Sequence, residues 1–368
     1  MPSNFIESIT IEGFKSIAFM PRLALGPINV VIGANGSGRS NFIGVFAFLR
    51  EIREGRLREY VTVAGGAEKV LHFGSKTTEE IYIEVSFARG MNHRYELKLR
   101  PTADDGLYPS EERAHERKGD IEYGTAFLPV NQGREAGISD DRNVLPEAQK
   151  VQEYLGSWQL YHLEDTSAIR KTAKVDDDRF LRPDGSNLPA FLYYLRERHT
   201  NSYSLIVRTV QRIAPFFDGF RLDPLQLKPD DIKLEWRHKR SDQYFDASSL
   251  SDGTLRFIAL ATLFLQPEKH RPSVILVDEP ELGLHPYAIE ILASLVRQAS
   301  VTTQVILGTQ SSLLLDYFEP GDVLVANRVD GGTDITRLEC SKLAKWLEDY
   351  SLGQLWEKNE LGGQPVPS

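Results

Sequence analysis

The stretch INVVIGANGSGRSNFIGVF, residues 28–46, decides the fold. Its central segment, Gly33–Ser40, fits the phosphate-loop pattern G-x-x-x-x-G-K-[ST] at every defined place except the seventh, where Arg39 stands instead of lysine. The apolar run before the loop predicts a strand, and the apolar residues after Ser40 recur with the period of an amphipathic helix. Strand, glycine-rich loop and helix are the context that a phosphate-binding loop requires.

The composition is that of an ordinary folded protein. The chain has 368 residues, of which 41% are hydrophobic and 26% are charged, enough for one large domain or two. The single cysteine, Cys340, excludes an internal disulfide and favours a reducing cytoplasm. No secretory signal and no apolar run of membrane-spanning length are apparent, so we expect no membrane association. The net charge of −9 argues against broad nucleic-acid binding, although local basic patches remain open.

The pattern beyond the loop predicts an α/β protein. Alternating residues at 81–87 and 95–99 predict strands joined by a turn at 88–92, and the polar stretch 101–146 predicts an irregular insertion. A helical block is expected at 188–217 and a strand at 232–236. In the last third, apolar strands alternate with helices, ending in a helix predicted at 341–350. Such alternation indicates a parallel sheet covered on both faces.

A second chemical motif is SVILVDEPELGLHP, residues 273–286. Its apolar strand ends in Asp278 and Glu279, which places one carboxylate beside a metal and the next beside an attacking water. The loop residue Ser40 would add a hydroxyl ligand to Mg²⁺. The alternative is an exposed Asp-Glu turn after a core strand.

A third motif, SSLSDGTLRFIALATLFL, covers residues 248–265. Ser251 and Gly253 precede a strongly apolar helix, and a hydroxyl with a glycine at a helix start suits close approach to an oxyanion. Taken alone, the same residues describe an ordinary helix start with Ser251 as the N-cap.

The three motifs, with VILGTQSSLLLDYF after them, occur in the order found in ABC-type ATPase heads of the SMC/RecF-like superfamily. The chain resembles most closely the bacterial single-chain predicted ATPases that are related to the overcoming-lysogenisation-defect ATPases and lack coiled-coil arms. The resemblance spans most of the chain and is weakest across 101–147. It implies a P-loop NTPase head of the ABC type, with a mixed or parallel sheet flanked by helices, a β-rich N-terminal lobe and a helical insertion lobe.

The resemblance also divides the chain into five parts. We expect an N-terminal ATPase lobe with the phosphate loop, an irregular insertion, a lobe junction with a helical part, a C-terminal ATPase lobe and a loose tail. Their bounds are 1–100, 101–147, 148–247, 248–361 and 362–368.

The resemblance assigns a role to each matching residue, with ATP and Mg²⁺ as the cofactors. Asp278 becomes the metal-side carboxylate and Glu279 the catalytic base, while Gln310 takes the place of a switch histidine. Ser251 and Gly253 contact the γ-phosphate bound to a second subunit. His285 is expected at an interface or a turn and not in a metal site. Phosphates and metal are bound by Asn35, Gly36, Ser37, Gly38, Arg39, Ser40 and Asn41.

The segment Tyr161–Ser167 resembles a nucleotide-sensing motif at the lobe junction. Asp165 is the candidate for its metal-facing residue. The alternative is a loop in which Asp165, Thr166 and Ser167 make turn hydrogen bonds.

Arg39 decides how active the site can be. It keeps the positive charge of lysine, but its guanidinium is longer, planar and bidentate, so the exchange is not neutral. The Asp278–Glu279 pair argues against an inactive site. We therefore expect ATP to bind well and to be hydrolysed slowly.

Two classes of function remain open from the sequence. The first is an ATPase that dimerises head-to-tail around ATP and gates a separate effector, a nuclease, in anti-phage defence. The chain has no nuclease motif of its own. The second is a RecF-like DNA-binding clamp in recombination or repair, and a non-hydrolysing nucleotide-sensing scaffold is a third alternative.

Overall fold

The computed structural model describes residues 5–87, 92–118, 121–128, 135–142 and 145–363. The turn predicted at 88–92 falls almost wholly outside this range. The strands are β1 Ile6–Phe14, β2 Ile17–Ala24, β3 Ile28–Ile32, β4 Ile81–Phe87, β5 Asn92–Pro101, β6 Leu107–Lys118, β7 Ile121–Phe127, β8 Trp158–Tyr161, β9 Ala173–Lys174, β10 Phe217–Arg221, β11 Asp231–Ile232, β12 Glu235–His238, β13 Tyr244–Asp246, β14 Val274–Asp278, β15 Gln304–Thr309, β16 Val323–Val329 and β17 Gly332–Arg337. The α-helices are α1 Arg39–Arg53, α2 Leu57–Ala64, α3 Ala67–Val70, α4 Pro146–Gly156, α5 Leu188–Arg198, α6 Thr200–Ile213, α7 Asp252–Leu265, α8 Pro286–Ala299, α9 Ser312–Leu315, α10 Cys340–Leu343 and α11 Leu352–Glu357.

The central sheet carries the strands that lead into the motifs. Its order is β17-β16-β3-β15-β14-β8, and its five strands from β16 to β8 run parallel while β17 is antiparallel. Strands β3, β14 and β15 are buried along almost their whole length, which explains their continuous apolar sequences. Because parallel strands end at the same sheet edge, the segments after these three strands lie close together.

The N-terminal lobe contains a second sheet, which is antiparallel and has the order β2-β1-β4-β5-β6-β7. Helix α1 packs between the two sheets: its buried residues, such as Phe42 and Phe46, share one apolar core with β1, β4 and one face of the central sheet. The other face of the central sheet packs on α5, α7 and α8 in a second core.

The structure differs from the irregular insertion expected over 101–147. Strand β6 pairs with β5 from Asn92↔Arg117 to Pro101↔Leu107, and β7 pairs with β6. The carboxylate of Glu112 on β6 is almost fully buried and accepts hydrogen bonds from Tyr95 Oη (2.7 Å), Gly137 N (2.6 Å) and Ile138 N (2.9 Å). This buried carboxylate attaches the segment around Gly137 to the sheet.

Four other expectations also need correction. The helical block at 188–217 is divided into α5 and α6, and the strand at 232–236 is divided between β11 and β12. The helix predicted at 341–350 is only the short α10 followed by a 3-10 turn at Trp346–Glu348. At the start of the expected loose tail, Gly363 N donates to Asn327 Oδ1 and Gly363 O accepts from Ala34 N, each at 2.6 Å. Among the described helices, none is long and apolar enough to cross a membrane.

Candidate ATPase site

The glycine-rich loop connects β3 to the first turn of α1. Gly38 is the N-cap of α1 and has a φ of 98°, a conformation that side-chain-bearing residues rarely adopt. A Cβ at this position would also collide with the hydroxyl of Thr333 on β17. A cavity of about 240 Å³ lies over the loop, and its lining comes from Ala34–Gly36, Gly38–Asn41 and Arg328. The loop thus presents the start of a helix to an open cavity, which is the environment that favours phosphate groups.

The hydroxyl and the carboxylate predicted to hold a metal are in contact. Ser40 Oγ donates to Asp278 Oδ2 at 2.9 Å. Asp278 Oδ1 is buried and makes no hydrogen bond with any residue that the structure describes. One hydroxyl and one carboxylate with an unsatisfied oxygen fit Mg²⁺, which prefers oxygen ligands and few protein carboxylates.

Arg39 turns toward the acidic pair. Its Nη2 lies 2.6 Å from Glu279 Oε1, and its Nε lies 3.4 Å from Asp278 Oδ1 without the alignment of a hydrogen bond. The Arg39 side chain is only 7% exposed, and Nη1 donates to Gly33 O at 3.3 Å. The cation that the loop motif supplies is therefore neutralised by two carboxylates of the same chain.

Gln310 completes this group from the end of β15. Its Nε2 donates to Glu279 Oε1 at 2.6 Å and to Asn35 Oδ1 at 2.9 Å. Glu279 itself has a φ of 46°, an uncommon conformation for a residue with a side chain, and its N–H donates to Gly308 O. The amide of Gln310 thus connects the phosphate loop to the carboxylate predicted as the base.

Glu281 is a residue that the sequence reasoning missed. Its Oε1 accepts hydrogen bonds from Thr309 Oγ1 and from Gln310 N (3.4 Å), and its Oε2 is buried without a partner among the described residues. Burial raises the pKa of the Glu281 carboxyl, and the bond from Thr309 opposes that rise. In the sequence, only its position two residues after Glu279 could have indicated that Glu281 lies at the site.

The tip of α7 forms a separate region. Ser251 is the N-cap, and its Oγ accepts from Thr254 N at 3.2 Å. A cavity of about 140 Å³ lies beside it, with a lining that includes Gly253, Gly283 and His285. No described residue lines both this cavity and the one over the phosphate loop. The structure therefore does not bring Ser251 and Gly253 into the Arg39 cavity of the same chain.

Gly253 brings α7 against the segment that follows the acidic pair. A Cβ at Gly253 would overlap the carbonyl oxygen of Gly283, so only glycine allows this approach. His285 is the N-cap of α8, and its Nδ1 accepts from Tyr287 N at 3.3 Å. His285 therefore lies at a helix start. Among the described residues, no group of three His, Cys, Asp or Glu side chains could hold a metal ion.

At the lobe junction, Asp165 makes the hydrogen bonds of a turn. Its carboxylate accepts from Ser167 N and Ser167 Oγ, each at 2.8 Å, and the bond from the backbone N–H lowers the Asp165 pKa. The neighbouring Thr166 donates to Asp252 in the first turn of α7. These contacts favour the turn interpretation over the metal-facing one.

Two arginines that the sequence reasoning left without a role attach the junction loop to α7. Arg170 donates to Ala247 O (3.0 Å), Leu250 O (3.2 Å) and Asp252 Oδ1 (2.7 Å). Arg256, on α7, is buried and donates to Leu163 O at 2.8 Å and to Glu164 O at 2.5 Å. The junction loop and the tip of α7 are thus held together.

The fold defines the class of protein: it is that of a P-loop ATPase head of the ABC type. A crystal structure of the SMC head bound to "the C-winged helix domain of ScpA" has a similar fold, with a TM-score of 0.58 and 16% identity. The match covers 92% of this chain and 99% of that chain. The chain belongs to the family described as "AAA domain, putative AbiEii toxin, Type IV TA system", which matches residues 28–316.

Two curated relatives extend the comparison. The chain is 23% identical to the "Old nuclease" of Escherichia phage P2 over an alignment 401 positions long, which covers 95% of this chain and 64% of that protein. It is 27% identical to the "Chromosome segregation protein sudA" of Emericella nidulans over 253 residues, which cover 58% of this chain and 20% of that protein. The chain thus spans less than two thirds of either relative.

Proposed function

We propose that the protein binds ATP with Mg²⁺, hydrolyses it slowly and dimerises head-to-tail around it. The observation that carries the proposal is the group formed by Arg39, Glu279 and Gln310 over the phosphate loop. Three chain segments that are far apart in sequence converge there with the residue types that phosphoryl transfer to water needs. Catalysis in such sites rests on positioning and charge stabilisation.

The proposed site holds each part of the nucleotide with a different group. Backbone N–H groups of Gly36–Ser40 at the start of α1 bind the phosphates, together with the side chains of Asn35 and Asn41. Ser40 and Asp278 hold Mg²⁺, which would neutralise phosphate charge. Glu279 orients a water and accepts its proton, while the Gln310 amide donates to the γ-phosphate or to that water.

The second half of the site comes from another copy of the chain. Ser251 and Gly253 lie at a helix start with an adjoining cavity but do not share the Arg39 cavity of their own chain. A two-fold arrangement brings each helix tip to the partner's phosphate loop and closes two equivalent sites. ATP then joins the two subunits, and hydrolysis releases them.

Slow hydrolysis follows from how Arg39 is placed. The guanidinium is paired with Glu279, so it competes with water for the carboxylate that must accept a proton. Lysine has one compact charge and cannot contact both carboxylates through separate nitrogen atoms, as the guanidinium of Arg39 does. We expect Arg39→Lys to raise turnover on the order of 10-fold, equivalent to a barrier lower by about 1.4 kcal/mol, with little change in ATP affinity. Phosphate release and ATP titration measure the two effects, and turnover below the wild-type rate would contradict the explanation.

The ATPase cycle is proposed to gate a separate effector nuclease in anti-phage defence, with a cytoplasmic location. The family description names a putative toxin and a toxin–antitoxin system, and one relative is named a nuclease. The chain covers only part of that relative, and the proposal assigns the nuclease activity to a separate polypeptide.

The test of this role is an affinity purification of the tagged chain from its native host. We expect a DNA- or RNA-cleaving activity to co-purify, in an amount that changes between ATP with Mg²⁺ and no nucleotide. The Glu279→Gln variant represents the ATP-bound dimer, because it is expected not to hydrolyse ATP. The Ser251→Arg variant represents the separate subunits, because it is expected not to dimerise around ATP. A purified assembly that cleaves no nucleic acid under any of these conditions would contradict effector gating.

The second candidate is a RecF-like DNA clamp, which the SMC-like fold and the chromosome segregation relative favour. The net charge of −9 argues against it. DNA binding that needs ATP and weakens steeply with salt would support the clamp instead of the effector role. ATP-dependent dimers without any phosphate release would support the third alternative, a nucleotide-sensing scaffold.

A further inference from the structure

Arg328 is the second cation of the phosphate-loop cavity. It lies on the exposed end of β16, and its Nη1 donates to Gly36 O at 3.2 Å. It lines the cavity of about 240 Å³ together with Arg39 and residues of the loop. The two arginines differ in environment, because Arg39 is buried against two carboxylates whereas Arg328 forms no ion pair within the described part of the chain. Arg328 is therefore the cation whose charge is available to an anion in this cavity.

The β16–β17 hairpin is attached to the phosphate loop by more than one contact. Arg328 and Thr333 are partners across the hairpin, and Thr333 Oγ1 donates to Ser37 O at 2.8 Å. The backbone N–H of Thr333 donates to Ser16 O at 2.7 Å, and Ser16 Oγ accepts from Asn41 at 2.6 Å. These bonds fix the end of β16 relative to the loop, so Arg328 approaches the cavity from a defined direction.

The strand order gives that direction. Strand β3 leads into the loop and lies between β15 and β16. Gln310 follows β15 and contacts Asn35, and the acidic pair follows β14 on the same side. Arg328 lies at the end of β16 and contacts the next loop residue, Gly36, from the opposite side. The metal-binding residues and Arg328 thus approach the loop from opposite flanks.

We propose that Arg328 binds the phosphate chain of the nucleotide on the flank away from Asp278, where it contributes charge to ATP and ADP alike. This inference rests on the proposed function and adds a binding residue that the loop motif does not contain. A guanidinium has five N–H donors, and in the structure one of its nitrogens bonds Gly36 O. Its remaining donors match phosphate oxygens bidentately. Arg328 then supplies positive charge to the phosphates in place of Arg39, whose guanidinium is paired with Asp278 and Glu279.

The test is a titration of ATP and ADP, each with Mg²⁺, against wild type, Arg328→Gln and Arg328→Lys. A hydrogen bond to a charged group predicts that Arg328→Gln weakens both nucleotides by about 10- to 100-fold, with a smaller loss for Arg328→Lys. Arg208→Gln is the matched control, because this exposed arginine on α6 bonds only Ser204 O of its own helix among the described residues. Melting temperatures of all variants separate lost binding from a weakened loop.

The possible results separate the assignment of Arg328 from the proposed ATPase function. Wild-type affinity for both nucleotides in Arg328→Gln would overturn the assignment of Arg328 and leave the ATPase proposal standing. A loss confined to ATP would place Arg328 at the γ-phosphate and overturn its assignment to the flank away from Asp278. Wild-type protein that binds neither nucleotide would defeat the proposed function itself, and the assignment of Arg328 with it.

Discussion

Replacing the predicted base, Glu279→Gln, is expected to reduce ATP turnover by about 10²- to 10⁴-fold, the range that a positioned general base contributes. Glutamine keeps the size of the side chain and an oxygen that Arg39 and Gln310 can bond, but it does not accept a proton from water. ATP affinity is therefore expected to remain, and ATP-dependent dimers are expected to persist longer. Phosphate release, nucleotide titration and sedimentation measure the three effects.

Glu290→Gln is the matched control for this experiment. Glu290 is exposed on α8, and the exchange removes the same charge without touching the site. Equal, background-level phosphate release by wild type and Glu279→Gln would show that the protein does not hydrolyse ATP. Full turnover in Glu279→Gln would instead remove Glu279 from the role of base.

Ser251→Arg is expected to weaken ATP-dependent association by about 100-fold or more, in line with the several kcal/mol that a misplaced buried charge costs an interface. The new side chain would fill the space at the tip of α7 where the partner's γ-phosphate is proposed to lie. Binding of ATP to each separate subunit should be unchanged, because Ser251 does not line the phosphate-loop cavity. Sedimentation with ATP and Mg²⁺ in the Glu279→Gln background measures association without turnover.

Ser294→Arg, the same exchange at an exposed position of α8, controls for added charge. Undiminished dimerisation and turnover in Ser251→Arg would contradict the head-to-tail arrangement. Lost nucleotide binding by the separate subunits would place Ser251 in the site of its own chain.

The sequence indicated that the candidate site residues would lie together, because each of them ends or follows a buried strand of one parallel sheet. Gly33–Ser40 follows β3, Asp278 ends β14 with Glu279 directly after it, and Gln310 follows β15. Once the strands were recognised, their ends had to meet at one edge. The contacts between Ser40 and Asp278 and between Gln310 and Glu279 agree with that expectation.

Residues outside the motifs could not be found in this way. Arg328 contacts Gly36 across 292 positions in sequence, and no local pattern marks it. The role of Arg170 as the link to Asp252 likewise depends on tertiary contacts that join two separate loops. The orientation of Arg39 toward Glu279 is a property of the folded chain, since the motif specifies only a cation.

The strand β6 was missed for a different physical reason. Its inward positions include Pro109, Glu112 and Ala114 in place of large apolar residues, so the alternation that indicates a strand is absent. A register shift at Lys98–Leu99 disturbs the period further. Glu112 takes the inward place of an apolar side chain because hydrogen bonds from Tyr95 and two backbone N–H groups satisfy it.

The contact between Gly253 and Gly283 has a consequence for a two-fold dimer. It joins the tip of α7, which is proposed to contact the partner's nucleotide, to the segment that follows Glu279, which is proposed to act on the chain's own nucleotide. A displacement at one of these points is transmitted to the other, because no side chain separates the two backbones. We therefore expect the two ATP molecules of the proposed dimer to be energetically linked, so that hydrolysis of the first alters the reactivity of the second.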